Sequence, residues 1–484
     1  MKRTKILMGV SLIAMVMSIA ACGQKQSGTD PKDDEPKTET GKIVKAASAM
    51  TLDELKEASK KEFQDNPNGV FKVVGLTSVL RTVMKAVAAE YDWITYEATK
   101  DDKEQVAGDN CFVKNDYKDQ ALLVALKEAE TKYVADYALV QDARSFATYL
   151  EDDILHNYVP SDAESKFGLA KEDQMPLRGV YFNKVFWTNT NYEACGGVPI
   201  RNVWQFAGTA ADEGHISNIS FQSPTTEAIN MSFLCSVMAP ANEARLKAAY
   251  KSFYGKDWAK SANYESIGEQ WVMQFVSNIS IFHSSDGTAM KETQLKDKWN
   301  QPIVYYGAFA KMKDAVGKTY DVDLNGDGKV EETLATPLKV TCGGVEYTYE
   351  SEKAVNAMTT VKWDYAIEGF NGFMYSMDSE IIEHAQFPYT ACLFARTLLQ
   401  EDVYLQAIAN KSTPTEGGEK GNQYGYYYPA KESSSFPYAK GDWTKAQHLE
   451  RELVEQFDYL STVKGSVVNK ILAQIAGNSN APKE

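Results

Sequence analysis

Between Thr51 and Leu155 the chain twice repeats one pattern: an amphipathic helix, a short β-branched apolar run, a turn, and a second amphipathic helix. In "TLDELKEASKKEF", Thr51 followed three residues later by Glu54 forms a capping box, and Leu52, Leu55 and Phe63 fall near helical spacing. "GVFKVVGLTS" is the apolar run, and Val79, Leu80, Val83, Met84 and Val87 make the buried stripe of the helix that follows. The second unit reads "DQALLVALKEAETKY" as helix, "ADYALVQD" as strand and "RSFATYLEDDIL" as helix. Helices alternating with short apolar strands predict an α/β fold with a largely parallel sheet.

Downstream, "RGVYFNKVFWTNTNY" reads as a long strand, and strand–turn–helix units recur in "HISNISFQSPTTEAINMSFLCSVM" and "SNISIFHSSDGTAM". A hairpin follows in "LKVTCGGVEYTYE", and helices dominate after Asp378, interrupted by a Gly/Ser/Tyr-rich stretch after Asn410. Hydrophobic content of 44% and charged content of 24% are ordinary for a globular body. A net charge of -15 argues against nucleic acid as a partner. Beyond Cys22, five dispersed cysteines without CxxC or Cys/His spacing argue against a disulfide framework or a zinc site.

The N-terminus carries Lys2, Arg3 and Lys5, then an uncharged apolar run from Ile6 to Ala21. That order is a secretory signal, too short to be a comfortable membrane span. Ile19-Ala20-Ala21-Cys22 resembles the bacterial lipobox, which implies a signal peptide over 1–21 and lipidation of Cys22. Residues 22–48 then read as a flexible tether, since Gly23 to Gly41 holds no large apolar residue.

Several stretches together resemble the extracellular solute-binding proteins of bacterial ABC importers, of the type 2 periplasmic-binding-protein fold. "ELKEASKKEF...GVFKVVGLTS" is similar to that family's opening helix, first strand and hydroxyl turn. "GVYFNKVFWTNTNY...GGVPIRNVWQF" is similar to its strand crossing between lobes, and "HAQFPYTACLFARTLLQEDVYLQAIA" to its late helix pair. The resemblance implies two α/β lobes with a ligand cleft between them: lobe 1 over 49–183, lobe 2 over 184–364, and lobe 1 again with C-terminal helices over 365–484. It implies a monomeric, non-catalytic receptor on the extracytoplasmic face of the cell membrane, held there by lipid, that passes a small-molecule solute to an ABC permease. The competing readings are a surface hydrolase, for which no GxSxG or HExxH is present, and an adhesin or scaffold lipoprotein.

In open α/β sheets ligands bind at the carboxyl ends of strands, beside helix N-termini with unsatisfied N–H groups. The residues so placed are Thr77 and Ser78, Gln141 and Asp142, Ser223, Thr225 and Thr226, and Ser284, Ser285 and Asp286. Ser, Thr and Asp at these points are also good helix caps, so the pattern carries both readings. Tyr305 and Tyr306 are either cleft aromatics, with Tyr306 the ligand contact, or alternating positions of a strand.

"DVDLNGDGKVEE" places oxygen-bearing side chains at alternate positions around glycines, as a calcium loop does. One register uses Asp321, Asp323 and Asn325, turns at Gly326 and closes on Glu332. The other starts at Asp323, uses Asn325 and Asp327, turns at Gly328 and packs Val330 inward. The competing reading is a solvated Asn-Gly/Asp-Gly turn.

Overall fold

The computed structural model describes residues 36–97, 106–114, 124–141, 148–294, 302–315, 319–342, 345–356, 360–408, 425–431 and 442–481. The signal segment, Cys22 and Asp142 lie outside the described residues, as do the side chains of Thr77 and Ser78. Folded structure begins earlier than the sequence suggests. Helix α1 (Glu39–Ala49) falls within the stretch expected to be tether; Thr38 caps it by accepting from the Gly41 N–H at 3.1 Å. Val44 and Ala47, three apart on one helix face, are buried, which gives this otherwise polar segment an apolar stripe to dock. Helix α2 (Leu52–Asp65) carries the expected capping box between Thr51 and Glu54.

The sheet is organised by two long strands. β5 (Arg178–Asn189) and β14 (Gly372–Ile382) run antiparallel, and every residue of both is buried. At one end β14 pairs with β3 (Tyr137–Val140), which lies parallel to β1 (Phe71–Gly75), itself parallel to β2 (Cys111–Lys114). β4 (Leu155–Asn157) also pairs with β14 there. At the other end β5 pairs with β8 (Val304–Ala308), followed in parallel by β6 (Ile219–Gln222) and β7 (Ile279–His283). The expected organisation is thus present: two α/β lobes, each with a mostly parallel set of strands, joined by crossover strands.

Lobe 1 is covered by α1, α2, α3 (Thr77–Glu90), α8 (Pro388–Leu398) and α9 (Glu401–Ile408). The stripe expected on α3, Val79 to Val87, is buried. Lobe 2 is covered by α4 (Ala228–Val237), α5 (Glu243–Tyr254), α6 (Ile267–Asn278) and α7 (Asp286–Gln294). One apolar cluster runs along a single face of the sheet through both lobes, from Phe71 and Tyr137 to Phe221 and Phe233. On the opposite face each lobe has its own smaller cluster, around Ala138 in lobe 1 and Trp187 in lobe 2.

The last segment departs from expectation. After α10 (Lys445–Arg451) the chain forms β16 (Leu453–Val454) beside β14, then α11 (Phe457–Ser461) and α12 (Gly465–Gly477). α12 packs on α6 of lobe 2, with Lys470 paired to Glu269 and Asn478 Nδ2 donating to the carbonyls of Val276 and Ile279. The C-terminal region therefore belongs to both lobes.

Candidate functional site

The register of the crossover strands fixes where a ligand could sit. Val140, the last residue of β3, stands beside Asp378, which faces Arg178. Ala308, the last residue of β8, stands beside Lys184, and Gln222 and His283 end β6 and β7 on the same side. The carboxyl ends of both lobes' parallel strands thus face one stretch, Gly179–Asn183 on β5 and Met374–Met377 on β14. That stretch is the floor of the gap between the two sets of strand ends, and every residue of it is buried. One face of it carries Phe182 and Tyr375, with ring centroids 5.8 Å apart.

On the lobe 1 side, β1 ends at Gly75, where φ is +122° and a Cβ would meet the Leu139 carbonyl oxygen at 2.1 Å. Only glycine allows β1 to approach β3 so closely just before the turn. Thr77 is already the first helical residue of α3, and Leu76 holds the cap position with no side-chain bond. The first N–H groups of α3 are therefore uncapped by a side chain at the N-cap. Gln141 leaves the end of β3 half-buried.

On the lobe 2 side, Ser223 is buried; its hydroxyl lies 2.8 Å from Thr225 Oγ1, and Thr226 Oγ1 donates to the Ser223 carbonyl at 3.0 Å. Thr225 and Thr226 are exposed, and α4 begins after Glu227 without a side-chain cap. Ser285 accepts from the Thr288 N–H at 3.1 Å and so caps α7, while Ser284 Oγ lies 3.2 Å from Thr288 Oγ1. Ser284 and Ser285 are exposed, and Asp286 opens α7.

Tyr306 is corrected. It is fully buried, its ring 4.5 Å from Phe233 and 5.4 Å from Phe221, in the core under α4. Both faces of β8 are covered, so Tyr305 and Tyr306 each point into a core and neither is a cleft aromatic.

A charged cluster at the same strand ends was not singled out in the sequence. Lys184 is 1% exposed, and its Nζ lies 3.3 Å from Asp286 Oδ2 and 3.6 Å from Glu227 Oε1. His283 is bonded through Nδ1 to Ser220 Oγ at 3.0 Å, and its Nε2 is 3.9 Å from Asp286 Oδ1. Burial pushes the His283 imidazole down to about 4, reinforced by Lys184 against the pull of Asp286, so it is neutral at physiological pH. Lys184 Nζ, Gln222 Oε1 and His283 Nε2 are buried without a hydrogen-bond partner among the described residues. A lysine inside the apolar run "VYFNKVFW" was the available signal, because such a residue is buried only if something pairs with it.

In the acidic loop, Gly326 and Gly328 both have positive φ, and Asp323 accepts from the N–H groups of Asp327 (3.2 Å) and Gly328 (2.8 Å). Asp327 and Asn325 accept from the loop's own N–H groups as well. Asp321 turns away to Lys353 (3.3 Å) and the Ala354 N–H (3.0 Å), which favours the register starting at Asp323. Val330 is exposed rather than packed inward. The carboxylate that ties the loop down is Glu352, not Glu332: it is fully buried and accepts from the N–H groups of Leu324 (2.7 Å), Asn325 (3.1 Å) and Glu331 (3.0 Å). Among the described residues no three His, Cys, Asp or Glu side chains form a group that could hold a metal ion. Among the described residues Cys111, Cys195, Cys235 and Cys392 are not joined in disulfides.

No family model matches the chain, and no curated protein matches its sequence. Solved structures do. Apo ferric ion-binding protein A of Pasteurella haemolytica matches with 9% identity and a TM-score of 0.46, over 86% of this chain and 100% of that one. Iron-bound HitA of Pseudomonas aeruginosa matches with 11% identity and a TM-score of 0.47, over 84% and 98%. The periplasmic binding protein AfuA of Actinobacillus pleuropneumoniae, with fructose-6-phosphate bound, matches with 11% identity and a TM-score of 0.46, over 84% and 99%.

Proposed function

We propose that this chain is a non-catalytic solute receptor, held by lipid on Cys22 at the extracytoplasmic face of the membrane, that captures a small molecule between its lobes and passes it to an ABC permease. The observation that carries this reading is the convergence of both lobes' strand ends on one stretch of β5 and β14. Each lobe brings a helix without a side-chain N-cap to that gap, α3 from lobe 1 and α4 from lobe 2. Ligand groups that accept hydrogen bonds dock at such termini. Lobe 2 adds the exposed hydroxyls of Thr225, Thr226, Ser284 and Ser285, with Lys184 held behind them between Glu227 and Asp286. A solute touching both lobes favours the closed arrangement by its differential contacts, with β5 and β14 as the hinge.

A thermal-shift screen of sugars, phosphorylated compounds, carboxylates, polyamines and ferric iron on the soluble body tests the reading, since a ligand stabilises by mass action. The expected result is one class that raises the melting temperature and loses that effect in Thr225→Ala/Thr226→Ala. A shift indifferent to these substitutions places the ligand elsewhere. For the anchor, Cys22→Ser should abolish partitioning into detergent, and partitioning equal to wild type removes the lipid from the account. Calcium in the loop centred on Asp323, Asn325 and Asp327 is a structural part of the same proposal.

A further inference from the structure

The gap between the lobes has two faces, and one of them is crossed by a segment unrelated to the parallel strands. Its described parts are residues 425–431 and 442–455. The first part docks on lobe 1. Lys431 N–H donates to the Phe167 carbonyl at 2.9 Å, Tyr428 Oη donates to the Leu399 carbonyl, and the Tyr428 ring lies 4.7 Å from Tyr404. From the second part, Lys445 also reaches this side, at Asp173 just ahead of β5, 3.6 Å away.

The second part docks on lobe 2. Arg245 Nη1 of lobe 2 donates to the Glu452 carbonyl at 3.0 Å, and the Asn371 N–H, just ahead of the crossover strand β14, donates to the Arg451 carbonyl at 2.9 Å. Phe309, directly after β8, and Trp363 lie 5.5 Å and 5.9 Å from the His448 ring.

Between these anchorages the segment pairs with the outer edges of the floor strands. β15 (Tyr426–Tyr427) pairs with β5 at Phe182 and Tyr181, and β16 pairs with β14 at Phe373 and Met374. His448 joins the two halves. It is fully buried, with Nδ1 2.6 Å from Glu452 Oε1, Nε2 3.0 Å from Asp442 Oδ1, and Tyr427 Oη 2.8 Å from Nε2. Asn183 Nδ2, on the floor strand, donates to the same Glu452 at 3.0 Å. Burial alone would lower the imidazole's proton affinity, but Glu452 and Asp442 raise it to about 9, so the ring is a cation between two acids.

We propose that residues 425–431 and 442–455 are an internal clasp, pinned by His448, that links lobe 1 to lobe 2 across one face of the gap and sets the angle between them. Hinge motion then requires the clasp to yield or to travel with one lobe. The mechanical claim does not depend on which solute binds.

Hydrogen exchange and small-angle scattering on the full chain without ligand test it. His448→Ala should speed exchange about tenfold at Tyr181–Asn183 and Met374–Ser376 and enlarge the maximum dimension, while β1 and β6 keep their protection. Tyr427→Phe, which removes a single hydroxyl, should move both readouts in the same direction by less. In the His448→Ala background, Tyr181→Cys/Tyr427→Cys should restore both readouts when oxidised and lose them again on reduction, because these residues are cross-strand partners. Uniformly faster exchange through both lobes would make His448 an ordinary core residue and overturn the clasp. So would scattering unchanged in His448→Ala, or an oxidised staple that restores nothing.

Discussion

Arg178 and Asp378 face one another across β5 and β14, with Nη1 2.8 Å from Oδ1 and both side chains almost sealed from water. An irregularity between Met377 and Asp378 shifts the register by a residue and sets the pair opposite each other where lobe 1 meets the gap. Asp378 also accepts from Ser376 Oγ at 2.8 Å, so the acid is well satisfied. Removing one partner of such a pair leaves a buried charge uncompensated, at a cost of about 3–5 kcal/mol. Asp378→Ala should therefore lower the denaturant midpoint strongly, and Arg178→Met/Asp378→Leu should recover much of the loss. A single substitution that leaves the midpoint within error would mean that the pair contributes little to folding.

Glu380, two residues along the same strand, is sealed from solvent without a side-chain partner among the described residues. It is fully buried, and among the described residues neither carboxyl oxygen has a close hydrogen-bond partner. Burial, and then the nearby Asp378, hold its carboxyl well above the usual range against the pull of Arg178. The sign follows: above the ordinary glutamate value of about 4.3 the unfolded chain loses this proton while the folded chain keeps it, so stability falls as pH rises. Glu380→Gln should thus be more stable than wild type at pH 7, with the gain shrinking toward pH 4. Melting curves across that range check it; a variant less stable at pH 7 overturns it.

How much of this was legible depends on whether the signal is local. The α3 stripe and the α2 capping box repeat at helical spacing and were readable. So was β5, whose apolar run is long enough to cross both lobes. Period-two alternation could not say whether Tyr306 faces a cleft or a core, because both sides of β8 are covered. β15 and β16 are two residues each, and their partners lie far away in sequence, so no local pattern announces them. The same holds for Glu352, which closes the acidic loop from a neighbouring strand connection.

The acidic loop makes a clean contrast between calcium site and turn. If Asp323, Asn325 and Asp327 wrap calcium, millimolar calcium should raise the melting temperature and chelator lower it, because the unfolded chain cannot bring these oxygens together. Asp323→Ala and Asp327→Ala should abolish the response. Glu352→Gln should lower stability with or without calcium, since its carboxylate serves three backbone N–H groups. Melting curves identical across calcium concentrations would leave a self-satisfied Asn-Gly/Asp-Gly turn.

The receptor reading makes its sharpest prediction across the gap. Ser78 comes from α3 of lobe 1, whereas Thr225 and Thr226 precede α4 of lobe 2. Each hydrogen bond lost to the solute should cost about 0.5–1.5 kcal/mol. Ser78→Ala combined with Thr225→Ala should therefore weaken affinity roughly tenfold or more. It should also shrink the ligand-induced change in scattering, because a solute moves the equilibrium only through contacts it makes with both lobes. Lys184→Met should act differently. It leaves Glu227 and Asp286 near one another without their cation, so it should weaken an anionic solute most and a cationic one least. Calorimetry with the solute identified by thermal shift, paired with scattering on the same variants, measures both effects. If neither the cross-lobe pair nor Lys184→Met changes affinity while the variants remain folded, these groups only shape the turns and cores in which they sit, and the solute binds elsewhere.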